Sequence, residues 1–396
     1  AAGCSMGATP ARRDGGVQAR RPRIDPLAAA AASRAACRTG RPVACGSYAG
    51  GYYAQPGSRS RIFKTASGAW VVSPPPGYGP ARGVVHFLGG AFAGAAPQLL
   101  YSLLLDLLAA SGYTSVATPY AVTFKHDECA AQVRGSFLAA VDELRASDGT
   151  AMLAPANVPI LGLGHSMGAH LHLLIGSYND SPTATNVLIS YNNKQVADAI
   201  PIPGLLDALG PSVRFAREQA AAAGLSADRM PSAADLLSTA SNFLPLQLRN
   251  AVDTGGRLSG AGLALEQLYR VAGEVGDGVT AFQPSPAECR QLVGTSYSVP
   301  RTLLVRFQDD SIDETPEVED LLRPRFVRMG MSTLVLPGSH ITPCVGDLPE
   351  GASTAQLPPQ AAAVAELLRD SSQADVRRLG ARVVGWFDSV TVALPA

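Results

Sequence analysis

The sequence predicts an α/β fold: a mostly parallel sheet flanked by helices, interrupted by a helical insertion that forms a cap. Three observations carry this expectation. Short apolar runs alternate with segments of helical periodicity, the pattern of βαβ units. One run, residues 158–163, passes through Gly164-His165-Ser166-Met167-Gly168 into a helical stretch, so a serine sits on a strand-to-helix turn. From residue 194 to 298 only helical stretches are legible, and the strand pattern resumes at residues 302–307.

A chain of 396 residues can bury a large core, as one big domain or as a core with an insertion. At 46% hydrophobic and 16% charged it is globular rather than disordered. Lys plus Arg equals Asp plus Glu at 32 each, so net charge gives no argument for nucleic acid. The six cysteines are spread out without a C-x-x-C pair, which points to reduced thiols rather than a zinc site or a disulfide scaffold. No run approaches the roughly 20 apolar residues that span a bilayer, so no transmembrane segment is expected. The most apolar stretch, residues 99–110, is interrupted by Tyr101, Ser102 and Asp106 and reads as a buried helix. Peripheral membrane contact and the oligomeric state stay open.

Residues 1–50 carry eight arginines against Asp14 and Asp25 in an Ala/Gly/Ser background. That Arg-rich, acid-poor composition is the pattern of an organelle transit segment, with a basic disordered tail as the alternative, and it is set apart from the fold. Core segments are expected at 55–193 and 299–396, with the cap at 194–298. Residues 61–66 and 69–73 read as a hairpin turning at Ser67-Gly68 and ended by Pro74-Pro75-Pro76-Gly77. A buried strand follows at 84–88. Pro97 opens a helix with Leu100, Leu103, Leu104 and Leu107 on one face. Residues 113–118 form the next strand, and Val133, Phe137, Val141 and Leu144 line a helix. Strands at 158–163 and 187–191 flank the helix after Ser166. The cap has helical stretches at 212–223, 233–248 and 263–275. Strands at 302–307 and 333–336 and two helices, 361–370 and 374–389, complete the chain.

A serine hydroxyl is a poor nucleophile until a base takes its proton and a carboxylate orients that base. Ser166 is the expected nucleophile. Glycine at 164 and 168 suits a turn too tight for side chains, and the Met167 amide at the helix start points where an oxyanion would develop. In this kind of site the acid follows a strand after the cap and the histidine follows the last strand. Asp309, Asp310 and Asp313 compete for the first place. Asp310 is preferred because Ile312 stands two residues on, leaving Asp309 and Asp313 as solvated loop acids. His340, after Pro337-Gly338-Ser339, is the only histidine beyond residue 172 and is the expected base. The second oxyanion donor is the Ala91 amide, with Gly90 permitting the turn. No cofactor or metal is expected. Gly89-Gly90 lacks a phosphate-cradling pattern, and His170 and His172, two apart on a helix, cannot make the i, i+4 pair of a zinc helix. His165 is expected beside the serine, and His86 and His126 as ordinary hydrogen-bonded or surface residues.

With Gly164 to Gly168, Asp310 and His340 in this order, the core resembles the alpha/beta-hydrolase superfamily. More narrowly, HFLGGAFAGAAPQLLY (residues 86–101), LGHSMGA (163–169), DSIDET (310–315) and SHITPC (339–344) resemble an uncharacterised family of plastid and cyanobacterial hydrolase-like proteins, defined by a domain of unknown function. The resemblance spans residues 60 to 390. It implies the alpha/beta-hydrolase fold and a chloroplast setting, stromal or thylakoid-associated, in agreement with the basic N-terminus. It implies no substrate. The strand before the oxyanion turn ends in Leu88-Gly89-Gly90, where common hydrolases have His-Gly. The expected function is an esterase- or lipase-like serine hydrolase that cleaves a small-molecule ester or thioester with an apolar acyl group. The apolar preference rests on Leu205, Leu206, Leu236, Leu237, Phe243 and Leu244 in the cap, which could equally dock the cap on the core. A non-catalytic plastid scaffold or assembly factor, and an acyltransferase using the same triad, are the alternatives.

Overall fold

The computed structural model describes residues 60–91, 93–178, 181–194, 267, 270, 271, 273, 274, 277–279, 281–325, 330–345 and 359–391, the side chains of the last segment from 372. The basic segment 1–50 and most of the expected cap, including its stretches at 212–223 and 233–248, lie outside the described residues. Among those described, eight strands form one sheet in the order β1-β2-β4-β3-β5-β6-β7-β8. They are β1 Arg61–Lys64, β2 Trp70–Ser73, β3 Gly83–Leu88, β4 Tyr113–Ala117, β5 Ile160–His165, β6 Thr183–Ile189, β7 Arg301–Asp309 and β8 Gly330–Ser339. The β1–β2 hairpin turns through Gly68, whose φ of 90° favours glycine. Strand β2 pairs antiparallel with β4, and every pairing from β4 to β8 is parallel. This is the alpha/beta-hydrolase fold that the sequence pattern led us to expect.

Alternation along the buried strands sends successive side chains to opposite faces. Val85, Phe87, Leu161, Leu163, Val187 and Val305 face one side, covered by α1 (Ser102–Ala110) and the long α6 (Pro359–Thr391). Val84, Leu88, Val116, Leu188 and Leu304 face the other. There they meet α2 (His126–Ala146), α3 (Met167–Ser177), α4 (Pro286–Ser296) and α5 (Thr315–Leu322). The helix α2 buries Val133, Phe137, Val141 and Leu144, the stripe read from its periodicity. Strand β8, at the sheet edge, buries only Leu336. Among the described residues no helix is long and apolar enough to cross a membrane.

Three elements differ from expectation. The helix from Pro97 breaks after one turn at Tyr101, and α1 starts anew at Ser102. Tyr101 has φ −118°, so the helical phase of Leu100 is not carried through; Leu104, Leu105 and Leu108 are fully buried, whereas Leu100 and Leu107 are only partly so. The two expected C-terminal helices are one. Ser371-Ser372-Gln373 holds neither proline nor glycine, and serine inside a helix costs only about 0.5 kcal/mol. Val376, Leu379, Val383, Phe387 and Val390 then keep one buried face. Strand β6 starts at Thr183, ahead of the apolar run. Its polar Thr185 is satisfied, donating to the Arg301 carbonyl and accepting from the Trp386 indole, each at 2.9 Å.

At the end of the insertion, Gln267 and Glu274 tie onto the loop after β4. Gln267 accepts the Val122 amide at 2.6 Å, and the Glu274 carboxylate takes the Phe124 amide at 2.8 Å and the Thr123 hydroxyl at 2.6 Å. The helix α4, missed in the sequence reading, opens on a capping box in which Ser285 and Glu288 satisfy each other's amides.

Candidate active site

The turn after β5 is forced by close packing. Ser166 has φ 54° and ψ −119°, a conformation that costs a residue with a side chain about 1–3 kcal/mol. Its amide donates to the Ile189 carbonyl at 2.9 Å, which fixes the turn against β6. A Cβ on Gly164 would run into the Gly168 backbone, and one on Gly168 into the carbonyls of Leu88 and Gly89. Both glycines are therefore steric requirements of the crossing between β3, β5 and α3.

Two loops converge on that serine. Beyond β7, Asp310 places its side chain out of solvent. Beyond β8, Gly338 turns at φ 122°, and the Ser339 amide donates to the Thr342 hydroxyl at 2.8 Å. His340 then reaches back. The Ser166 hydroxyl lies 3.0 Å from His340 Nε2, and His340 Nδ1 lies 2.8 Å from Asp310 Oδ2. With Nδ1–H donating to the carboxylate, Nε2 is left to accept the serine proton. Burial alone would raise the Asp310 pKa. The His340 hydrogen bond and charge, with the Ile312 amide at 3.2 Å on Oδ1, outweigh it and hold the carboxyl below its ordinary value. Ser190 is close enough to push the same way, yet its buried hydroxyl makes no hydrogen bond of normal geometry.

The neighbouring aspartates part company. Asp309 ends β7 exposed. Asp313, read as a solvated loop acid, is instead buried, its side chain only 1% exposed. It pairs with Arg306 at 2.8 Å and accepts the Thr315 amide at 3.0 Å and the Thr315 hydroxyl. The loop folds back on β7 and α5, so an acid at this place closes a helix start rather than meeting water.

Gly90 and Ala91 border the serine from the other side. A Cβ on Gly90 would stand 3.2 Å from Ser166 Cβ, so the turn passes directly alongside. Tyr120 donates to the Gly89 carbonyl at 2.6 Å, and the Gly94 amide to the Gly90 carbonyl at 2.7 Å, which holds the turn. Met167 opens α3. Among the described residues, neither the Ala91 nor the Met167 amide has a protein acceptor.

The family described as "Protein of unknown function (DUF1350)" matches residues 63–389. The chain belongs to the DUF1350 family. No curated protein matches it. Among solved structures, this DUF1350 chain is similar to a lipase in its open form, at 15% identity and TM-score 0.38, over 84% of this chain and 96% of that one. A second is a soluble variant of monoglyceride lipase from Saccharomyces cerevisiae with a substrate analog, at 12% identity and TM-score 0.41, over 86% and 94%. A third is the thioesterase domain from the curacin biosynthetic pathway, at 17% identity and TM-score 0.39, over 81% and 98%.

The remaining histidines of the DUF1350 chain lie inside the core. His86 and His126 are buried at 4% and 3% exposure, so the surface alternative is excluded for both. His86 stacks on Phe137 at 4.2 Å, and His126 Nδ1 faces His170 Nε2 at 3.2 Å. His172 Nε2 lies 3.1 Å from the His86 carbonyl and donates to it. Among the described residues no group of three or more His, Cys, Asp or Glu is arranged to hold a metal ion. Cys129, Cys289 and Cys344 are free thiols. His165 sits behind the serine and joins Tyr101 to the His340 loop. Sequence reasoning missed Tyr101, whose only signal is its place as the interruption of an otherwise apolar helix.

Proposed function

We propose that this chain is a serine hydrolase acting on an ester or thioester with an apolar acyl group. The observation that supports it most is the hydrogen-bonded line Ser166–His340–Asp310 on a strained turn. In this reading Ser166 Oγ attacks the carbonyl carbon while His340 Nε2 takes its proton. The tetrahedral oxyanion sits between the amides of Met167 and Ala91. His340 returns the proton to the leaving alcohol or thiol, which departs as the acyl-enzyme forms. Water then attacks with His340 as base, and the carboxylic acid is released. Asp310 keeps the imidazole in the Nδ1–H form and stabilises it while charged.

The apolar acyl group is supported by the cap leucines in the sequence and by Ile341, directly after His340, which is 71% exposed. The composition of residues 1–50 supports import into an organelle, and the resemblance to plastid proteins makes the chloroplast the proposed one. The full chain should hydrolyse p-nitrophenyl esters, with kcat/KM rising from acetate to octanoate. Absence of turnover on every ester and on an acyl-thioester would overturn the reading, and a flat chain-length profile would overturn the apolar preference.

A further inference from the structure

His165, the residue before the serine, is 2% exposed and has a partner at each ring nitrogen. Its Nε2 lies 2.9 Å from the His340 backbone oxygen, and its Nδ1 lies 2.8 Å from the Tyr101 hydroxyl. A carbonyl can only accept, so Nε2 carries a proton. Burial first, and the nearby His340 second, push the His165 pKa down to about 3 and keep the ring neutral. A neutral imidazole has one proton, which leaves Nδ1 a bare acceptor. Two donors face that nitrogen, the Tyr101 hydroxyl at 2.8 Å and the weaker Cys344 thiol at 3.9 Å, and the near hydroxyl donates to it.

That hydroxyl is itself an acceptor, for the Gly90 amide at 2.7 Å. Donation therefore runs one way: Gly90 N–H to Tyr101, Tyr101 O–H to His165, His165 N–H to the His340 carbonyl. One end is the turn that carries Ala91, and the other is the main chain of His340. Tyr101 is fully buried, edge-on to Phe87 at 4.9 Å, and Gly89 makes room for it, since a Cβ there would stand 2.7 Å from the ring. The break between the one-turn helix and α1 is what lets this side chain turn inward.

We propose that Tyr101 and His165 are positioning residues that hold the Gly90-Ala91 turn and the His340 main chain in fixed register on either side of Ser166. The proposal deepens the hydrolase reading and rests on it. Both residues act through Gly90, Ala91 and His340, with no contact to substrate required.

The test uses the full chain with 15N-labelled histidine and p-nitrophenyl acetate as substrate. His165 should be in the Nε2–H form in the wild type and, held by the His340 carbonyl, in Tyr101→Phe as well; that variant keeps the ring, removes the hydroxyl and should shift the bare Nδ1 resonance as its hydrogen bond is lost. Turnover of Tyr101→Phe should fall about 10- to 100-fold in kcat with KM little changed, as for residues that orient a functional group. His165→Gln, which keeps an N–H for the His340 carbonyl, should retain more activity than His165→Leu. An Nδ1–H form in the wild type, or wild-type kcat in Tyr101→Phe, would overturn the relay. A wild-type chain without turnover, whose His165 Nδ1 resonance nonetheless shifts in Tyr101→Phe with Nε2–H retained, would uphold the relay and overturn the hydrolase reading.

Discussion

Asp310→Asn should lower ester turnover by about 10³- to 10⁴-fold, whereas Asp313→Asn should lower stability and leave turnover within a few fold. The contrast follows from what each carboxylate touches. Asp310 is enclosed and accepts the His340 Nδ1 proton at 2.8 Å. An amide there can present its NH₂ to the ring, which moves the imidazole proton to Nε2 and leaves nothing to accept the serine proton. Ser166→Ala should lose as much, because the line then has no nucleophile. Asp313 instead anchors Arg306 and the start of α5. Arg306 is 36% exposed, so its pairing is partly screened, and Asn can still accept from Thr315. A loss of about 1–3 kcal/mol is expected, read as a lower Tm. Equal activity losses in the two variants would refute the assignment of Asp310.

Acid should unfold the domain cooperatively between about pH 6 and pH 5. Burial lowers the pKa of His126 to about 4, of His165 to about 3 and of His172 to about 4, and holds His86 and His170 well below the ordinary value. The sign follows directly. Above the ordinary imidazole value, near 6.5, these rings are neutral whether folded or not, and the core keeps its full stability. Below it the unfolded chain binds protons that the folded chain refuses, so stability falls with pH. A ring that stays neutral in the fold contributes at most about 1.4 kcal/mol per pH unit, and the contacting pairs His126–His170 and His86–His172 do not titrate independently. A whole domain has only about 5–15 kcal/mol to lose. Near-UV circular dichroism against pH checks this, and a native signal held down to pH 4 would contradict it.

Much of the site was legible because local sterics dictate it. The glycines at 164 and 168 announce a crossing that no side chain could occupy, and the strand and helix around Ser166 follow from residue periodicity. Strand order then brings the ends of β7 and β8 beside that turn, which is why chain order could point to Asp310 and His340 as neighbours of Ser166. What escaped depends on how a loop folds back and on distant partners. Asp313 looks like any loop acid until Arg306 of β7 and Thr315 of α5 close around it. Tyr101 reads as an interruption of a leucine helix, and its meaning lies in Gly90 and His165, 11 and 64 residues away. The helix break there depends on where the Tyr101 side chain is buried, and the last two helices fuse because no residue at their junction breaks a helix. Periodicity alone does not carry that information.

The central claim is that Ser166 is an activated nucleophile, and labelling by a small fluorophosphonate tests it most directly. Attack on phosphorus needs the same deprotonated serine and oxyanion donors as attack on a carbonyl, and it leaves a stable adduct. Intact mass should show one adduct per chain and peptide mapping should place it on Ser166, with labelling lost in Ser166→Ala and in His340→Ala. A folded wild-type chain that stays unmodified by the small probe, or that is modified equally well in His340→Ala, would contradict the account.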